Sequence, residues 1–302
     1  MKKAIFLICI AVLTGFLIFF TANSCPAAEL SSIEIKKIEK GIEKLEGDGR
    51  GTRRKGYREL SNIGATTVPY VIEVLKKKDI NFESRTLACN LLGDLKAKEA
   101  VPALVKTLKD KSYTVRIAAC QALGKIADPA AVKPLLGMFG DTQPRVAEAA
   151  IYALIAFDNN AIPPKVAKLL ENKAEYVQLA AVTLLNDKLD PKTAGAIRKA
   201  FREDSSSGVR LLAARALGGL KDRSALDILT KAVTGDDTPG VREECAIALG
   251  KIGDRKAIPA LMEALKDNYK DVQLRASYAL KDITGENFGR DYDKWSRWYK
   301  GQ

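Results

Sequence analysis

The sequence predicts an all-α chain wound as a right-handed α-α superhelical solenoid with a cap at each end. Three observations carry this. Leu92, Leu123, Leu154, Leu185, Leu217, Leu249 and Leu280 recur at one near-constant interval. A period of this size stacks one helix pair on the next instead of letting each close a core of its own. A small residue stands four positions before each leucine (Ala88, Ala119, Ala150, Ala181, Ala213, Cys245, Ala276), and glycine follows it at Gly93, Gly124, Gly218 and Gly250. Finally, the unit Ala97–Ile126 has the apolar spacing of two short amphipathic helices with a tight turn between them.

Residues 1–28 read as a leader or an N-terminal anchor. Lys2 and Lys3 form a basic start, Ala4–Phe20 carries no charge, and Ala22 and Ser24 are small residues just before Cys25. A helix of the solenoid needs a polar face, and this stretch has none. Three fates stay open: cleavage, lipidation at Cys25, or an uncleaved anchor. Ala22-Asn23-Ser24-Cys25 departs from the usual lipidation pattern, which has leucine at the first position and a small residue at the second. Each fate puts the rest of the chain outside the cytoplasm, because the lysines stay behind. The expected location is the periplasm or cell envelope, with possible membrane association through the N-terminus.

Residues 29–63 are expected to form a divergent helix pair that caps the solenoid. Ile33, Ile35, Ile38, Ile42 and Leu45 give an amphipathic helix, and Gly47–Gly51 makes a loop. Arg53 and Leu60 then stand one period before Arg85 and Leu92. Between Lys36 and Lys78 there are twelve Lys or Arg against six Asp or Glu, so this end is the most basic. Such a surface suits lipid phosphate or an acidic partner, or is simply a solvated cap.

Residues 64–283 hold seven regular units. Their motifs are A-V-P-A-L at Ala100–Leu104, the pair Asp110/Arg116, and A-A-C-Q-A-L-G-K-I at Ala118–Ile126, echoed by Val241–Ile252 and Ala257–Asp267. These residues resemble the HEAT-like repeats of phycobilisome lyase subunits and of many bacterial proteins. The resemblance implies the solenoid, with the second helix of each pair lining the concave face. It also implies a lyase or chaperone for a chromophore as one alternative function. Because the Asp and Arg columns recur in most units, they read as structural: the aspartate caps the turn, and the arginine reaches its own or the next unit's aspartate. The units at 127–157 and 158–188 lose both the arginine (Ala147, Gln178) and the glycine, and gain Pro163-Pro164. That is either a kink shaping a groove or plain drift.

Function is sought where the repeat stops constraining the residue. One column reads Asn90, Gln121, Tyr152, Thr183, Arg215, Ile247 and Tyr278, with no common size or polarity. Gln121, Tyr152, Arg215 and Tyr278 are the candidate partner-binding residues, since tyrosine and arginine dominate interface energetics. The last segment, 284–302, is expected to form an aromatic cap with Tyr292, Trp295 and Tyr299 on one helix face. Trp298 is a further candidate contact.

Composition narrows the chemistry. The chain of 302 residues has no histidine, which removes histidine-based acid–base catalysis and His-ligated metal sites. Cys89, Cys120 and Cys245 sit in packing columns and read as small buried apolar residues. With 49 Lys plus Arg against 37 Asp plus Glu the chain is basic, which raises nucleic-acid binding as a second alternative. Basic residues alternate with acids along most of the chain, and export removes it from DNA, so no nucleic-acid partner is expected. The reading is an exported, non-enzymatic scaffold that binds a protein or peptide, without catalytic residues, cofactor or metal.

Overall fold

The computed structural model describes residues 30–77, 79–160 and 162–302. The expected leader or anchor at 1–28, with Cys25, lies outside them. Among the described residues there are seventeen α-helices and no strand, arranged as the superhelical solenoid. The first sixteen form eight pairs. These are α1 (Ser32–Glu46) with α2 (Arg50–Ile63), α3 (Val68–Lys76) with α4 (Phe82–Asp94), α5 (Val101–Thr107) with α6 (Tyr113–Ile126), and α7 (Val132–Gly137) with α8 (Pro144–Leu154). Then come α9 (Ile162–Ala167) with α10 (Glu175–Lys188), α11 (Ala194–Glu203) with α12 (Ser207–Gly219), α13 (Leu226–Gly235) with α14 (Pro239–Ile252), and α15 (Ile258–Ala264) with α16 (Lys270–Thr284). The last helix, α17 (Tyr292–Lys300), lies against α15. No helix among the described residues is long and apolar enough to cross a membrane.

Each pair follows one local recipe. The second helix ends on a left-handed residue in most units, among them Lys96, Ala127, Leu189, Lys221 and Gly253. The chain then turns into a short 3-10 segment before the next first helix. An aspartate holds that turn four times: Asp128, Asp190, Asp222 and Asp254 each accept the N–H two residues on. These side chains satisfy donors that a helix start leaves unpaired. Pro102, Pro259 and Pro163 stand near first-helix starts, where the missing N–H costs nothing. Pro163-Pro164 therefore opens α9 and kinks no helix.

The core is one continuous stripe. All seven repeat leucines are fully buried, as are Ala88, Cys89, Ala119, Cys120 and Cys245 beside them. Burial of each leucine contributes about 1.5–3 kcal/mol. Consecutive second helices cross almost in backbone contact. A methyl group added at Gly124 would stand 2.8 Å from the Cα of Ala153, and at Gly218 2.7 Å from the Cα of Ala248. First helices stand farther apart. A trough of about 670 Å³ separates α9 from α11, floored by Ala167, Leu170, Ala196 and Ala200.

The C-terminal cap closes the exposed end of the stack. Trp295 is completely buried, and its indole N–H donates to the carbonyl of Gly289 at 2.9 Å. Phe288 and Trp298 pack edge-on against it at 4.9 and 5.8 Å. The expected aromatic face is corrected in one member: Tyr299 is 41% exposed, and Trp298 takes the packed position. Tyr299 lies in the final helical turn, one residue before the helix ends.

Candidate partner-binding face

The exposed strip of the second helices is the candidate site. Its buried neighbours orient it: Ala122, Ala153, Ala216 and Ala279 pack inward, so the residue just before each looks out. Tyr152 and Tyr278 are 46% and 51% exposed, and Gln121 is exposed as well. None of the three side chains has a hydrogen bond or ion pair among the described residues. Asn90, Thr183 and Ile247, in the same column, are half-buried.

Arg215 shares the column but not the freedom. Its Nε and Nη2 donate to Oε1 and Oε2 of Glu244 at 3.2 and 2.8 Å, joining α12 to α14. The Arg215 side chain is 43% exposed, whereas that of Glu244 is only 8% exposed. The arginine is the lid over a buried carboxylate. Arg275 likewise bonds Glu243 at 3.0 Å, and Lys125 bonds Asp94 at 2.6 Å. These inter-repeat pairs take up much of the charge on this face.

Sequence reasoning missed two further members. Phe82 and Tyr113 open α4 and α6 and are 47% and 46% exposed. Both are aromatic and stand one repeat apart, at the first position of consecutive second helices. That recurrence was the available signal. One turn further along, Ile117, Leu179 and Leu211 are half-buried, so the strip alternates exposed rings with a packed apolar row. Trp298 stands apart from the strip, at the C-terminal cap, with the Arg255 guanidinium 5.7 Å above its ring.

The arginine ladder runs along the edge formed by the turns inside each pair. In four rungs the arginine grips the next unit's aspartate with Nε and Nη2: Arg85–Asp110, Arg116–Asp141, Arg210–Asp236 and Arg242–Asp267. Arg53 pairs through Nη2 with Glu83 of the next unit at the N-terminal end. Of the two options left by the sequence, the neighbouring aspartate is the partner. Burial pushes the carboxyls of Asp141, Asp236 and Asp267 up, but the paired guanidinium and a turn N–H outweigh it and hold them below the ordinary range.

The thiols point the other way. Cys89, Cys120 and Cys245 are free and buried. Desolvation pushes Cys120 up to about 12, and Cys89 and Cys245 higher still. None carries the thiolate that nucleophilic chemistry needs at neutral pH. Among the described residues no cluster of acidic residues and cysteines has the composition of a metal site.

A family model described as HEAT repeats matches residues 68–155, 162–239 and 195–281. No curated protein matches the chain in sequence. Among solved structures, YibA of E. coli is similar over 89% of this chain and 100% of its own, at 19% identity and a TM-score of 0.64. A chain of the Kap95p complex with RanGDP is similar over 88% of this chain and 42% of its own, at 13% identity and a TM-score of 0.63. The CpcE–CpcF phycocyanin lyase of Nostoc sp. aligns over 87% of this chain and 100% of its own, at 20% identity. Its TM-score of 0.43 is too loose to bear on activity.

Proposed function

The chain belongs to the HEAT-repeat family, and from that premise we propose that it is an exported, non-enzymatic scaffold. It binds a protein or peptide along the outward strip of its second helices. One observation carries the reading: a uniform, fully buried leucine column runs beside a column of mixed residues in which Gln121, Tyr152 and Tyr278 are exposed and unpaired. Burial restricts the first column to one shape, whereas in the second only Arg215, Thr183 and the half-buried Asn90 and Ile247 are held by the fold, and Gln121, Tyr152 and Tyr278 are not. Exposed tyrosines offer large, stiff contact area with a polar tip. Phe82 and Tyr113 extend the same surface toward the N-terminal end. Arg215 contributes as a lid whose outer edge is accessible.

Export is supported by Lys2-Lys3 followed by the uncharged run Ala4–Phe20. The basic α1–α2 cap would then lie close to the membrane, where its exposed Lys36, Lys37, Arg54, Lys55 and Arg58 favour anionic headgroups. The inter-repeat pairing of Lys125, Arg215 and Arg275 leaves no cationic track along the second helices, which favours a protein over a nucleic acid.

The test places a photo-crosslinking residue at Tyr152, at Tyr278 and at Lys133, an exposed residue of α7 on the opposite side, in intact cells. The same partner should be captured from both tyrosine positions and not from Lys133. Equal capture from all three positions would overturn the choice of face. A phosphatase fused after Gln302 should be active in the envelope, and a cytoplasmic reporter in its place inactive. Membrane release by Cys25→Ser distinguishes lipidation from cleavage.

A further inference from the structure

The arginine ladder is broken at two adjacent junctions, and the two breaks differ. At the first, both partners have changed: Ala147 stands in the arginine slot and Asn172 in the aspartate slot. The rung is gone, and with it the charge. At the second, only the arginine has changed. Gln178 stands in its slot and donates to the carbonyl of Leu170 at 3.0 Å, while Asp204 keeps its carboxylate.

Asp204 is set up as its paired counterparts are. In the four complete rungs one carboxylate oxygen also accepts the N–H two residues on, at 2.8–2.9 Å. Asp204 accepts Ser206 N–H at 2.8 Å in the same way. Its main-chain carbonyl accepts Nη1 of Arg210, as that of Asp236 accepts Nη1 of Arg242. The missing element is the side-on guanidinium. No side chain among the described residues donates to the other carboxylate oxygen. Two nearby arginines are engaged elsewhere, Arg198 with Asp222 and Arg210 with Asp236, and the exposed Arg202 stands 3.5 Å from Glu203 rather than on Asp204. The turn itself does not need the charge, since Asn172 holds its own turn through an amide oxygen at 2.9 Å.

The slot is open. A polar groove of about 670 Å³ lies over it, lined by Gln178, Asp204, Ser206, Glu175 and Glu203, with Lys173 at its side. Glu203 is only loosely held by Arg202 at 3.5 Å, and Glu175 accepts the Ser206 hydroxyl at 2.6 Å. The groove therefore carries excess negative charge on a chain that is basic overall.

We propose that Asp204 is a vacant rung that receives an arginine side chain from a partner polypeptide. The receptor is already seen in occupied form four times in this chain, with Nε and Nη2 lying 2.6–3.1 Å from the two carboxylate oxygens. That fork is specific to guanidinium, because an ammonium offers no pair of parallel donors. The site lies on the turn edge rather than on the tyrosine strip, so it goes beyond the proposed function and gives the partner a chemistry: a polypeptide presenting an exposed arginine.

The test uses the full chain, labelled with nitrogen-15, and two probes at matched ionic strength: N-acetyl-arginine N-methylamide and its lysine counterpart. The Ser206 amide reports directly, since it donates to Asp204. The arginine probe should shift it saturably, and the lysine probe about tenfold more weakly. Asp204→Asn keeps the acceptor for Ser206 N–H, so it should melt as the parent does and lose the arginine response. Gln178→Arg should fill the rung from within, raise Tm and abolish the response. Tyr152→Ala should leave it intact, which separates this site from the tyrosine strip. No saturable shift with the arginine probe, an equal response to lysine, or an undiminished response in Asp204→Asn or Gln178→Arg would each overturn the proposal.

Discussion

Between Arg53 and Asp141, and again between Arg210 and Asp267, each junction is tied by an arginine paired with a carboxylate of the next unit. Between Ala147 and Asp204 neither junction is. The middle also lacks the close-crossing glycines, with Ile155 and Asn186 in their place. Its first helices α7 and α9 are only six residues long and continue as 3-10 turns. Yet the apolar stripe does not change: Leu154 and Leu185 are as fully buried as Leu123 and Leu217. The comparison separates two kinds of cohesion. Apolar burial is required at each junction, while the polar rungs and glycine crossings tighten the stack and can be given up where another use is made of the surface.

The largest effect tests what the two regions share. Leu217→Ala in the flank and Leu185→Ala in the middle should each cost about 2–5 kcal/mol of unfolding free energy in urea titrations. A much smaller loss at Leu185 would mean that the middle is held by something other than its core. The next tests what they do not share. Arg116→Ala leaves Asp141, only 8% exposed at its side chain, without its cation, and should cost about 3 kcal/mol. Gln178→Ala removes one amide-to-carbonyl bond and should cost about 1 kcal/mol. Equal losses would erase the distinction. Gly124→Ala forces a methyl against the Cα of Ala153 and should cost about 1–3 kcal/mol, whereas Asn186→Ala should stay within about 0.5 kcal/mol.

Acid should show the same division by position. Asp141, Asp236 and Asp267 have folded pKa values below their unfolded ones. The stability they contribute is full above about pH 4 and is lost as pH falls through the lower folded values. In that acid range, amide exchange should accelerate first around α6 and α8 and around α12, α14 and α16. Acid-induced opening that begins in α10 would contradict this.

Much of this was legible in the chain. A leucine once in every period, with a small residue four positions ahead, leaves few architectures open. The Asp and Arg columns announced a structural ladder because they recur. The spacing alone did not reveal direction: each arginine stands within reach of the aspartate before it and the aspartate after it, and only the stacking of helices decides. Arg215 shows a related limit. Its column looked unconstrained, but its partner Glu244 lies in a different column of the next unit, and no repeat predicts a pair that occurs once. Tyr299 shows another limit, since periodicity gives a helical face without saying which of its residues meets the stack, and here Trp298 does. Phe82 and Tyr113 were equally readable as aromatic residues in register, but a column drawn through the middle of each second helix leaves out its first turn.

The claim that the tyrosine strip is free of the fold and committed to a partner is tested most directly by the double variant Tyr152→Ala/Tyr278→Ala, measured beside Arg215→Ala. Thermal unfolding and affinity for the crosslinked partner are read on the same preparations. The double variant should keep its unfolding free energy within about 1 kcal/mol and lose at least about tenfold in affinity. Arg215→Ala should unfold several degrees lower, because it uncovers Glu244. A double variant that melts early, or one that binds as tightly as the parent, would contradict the account.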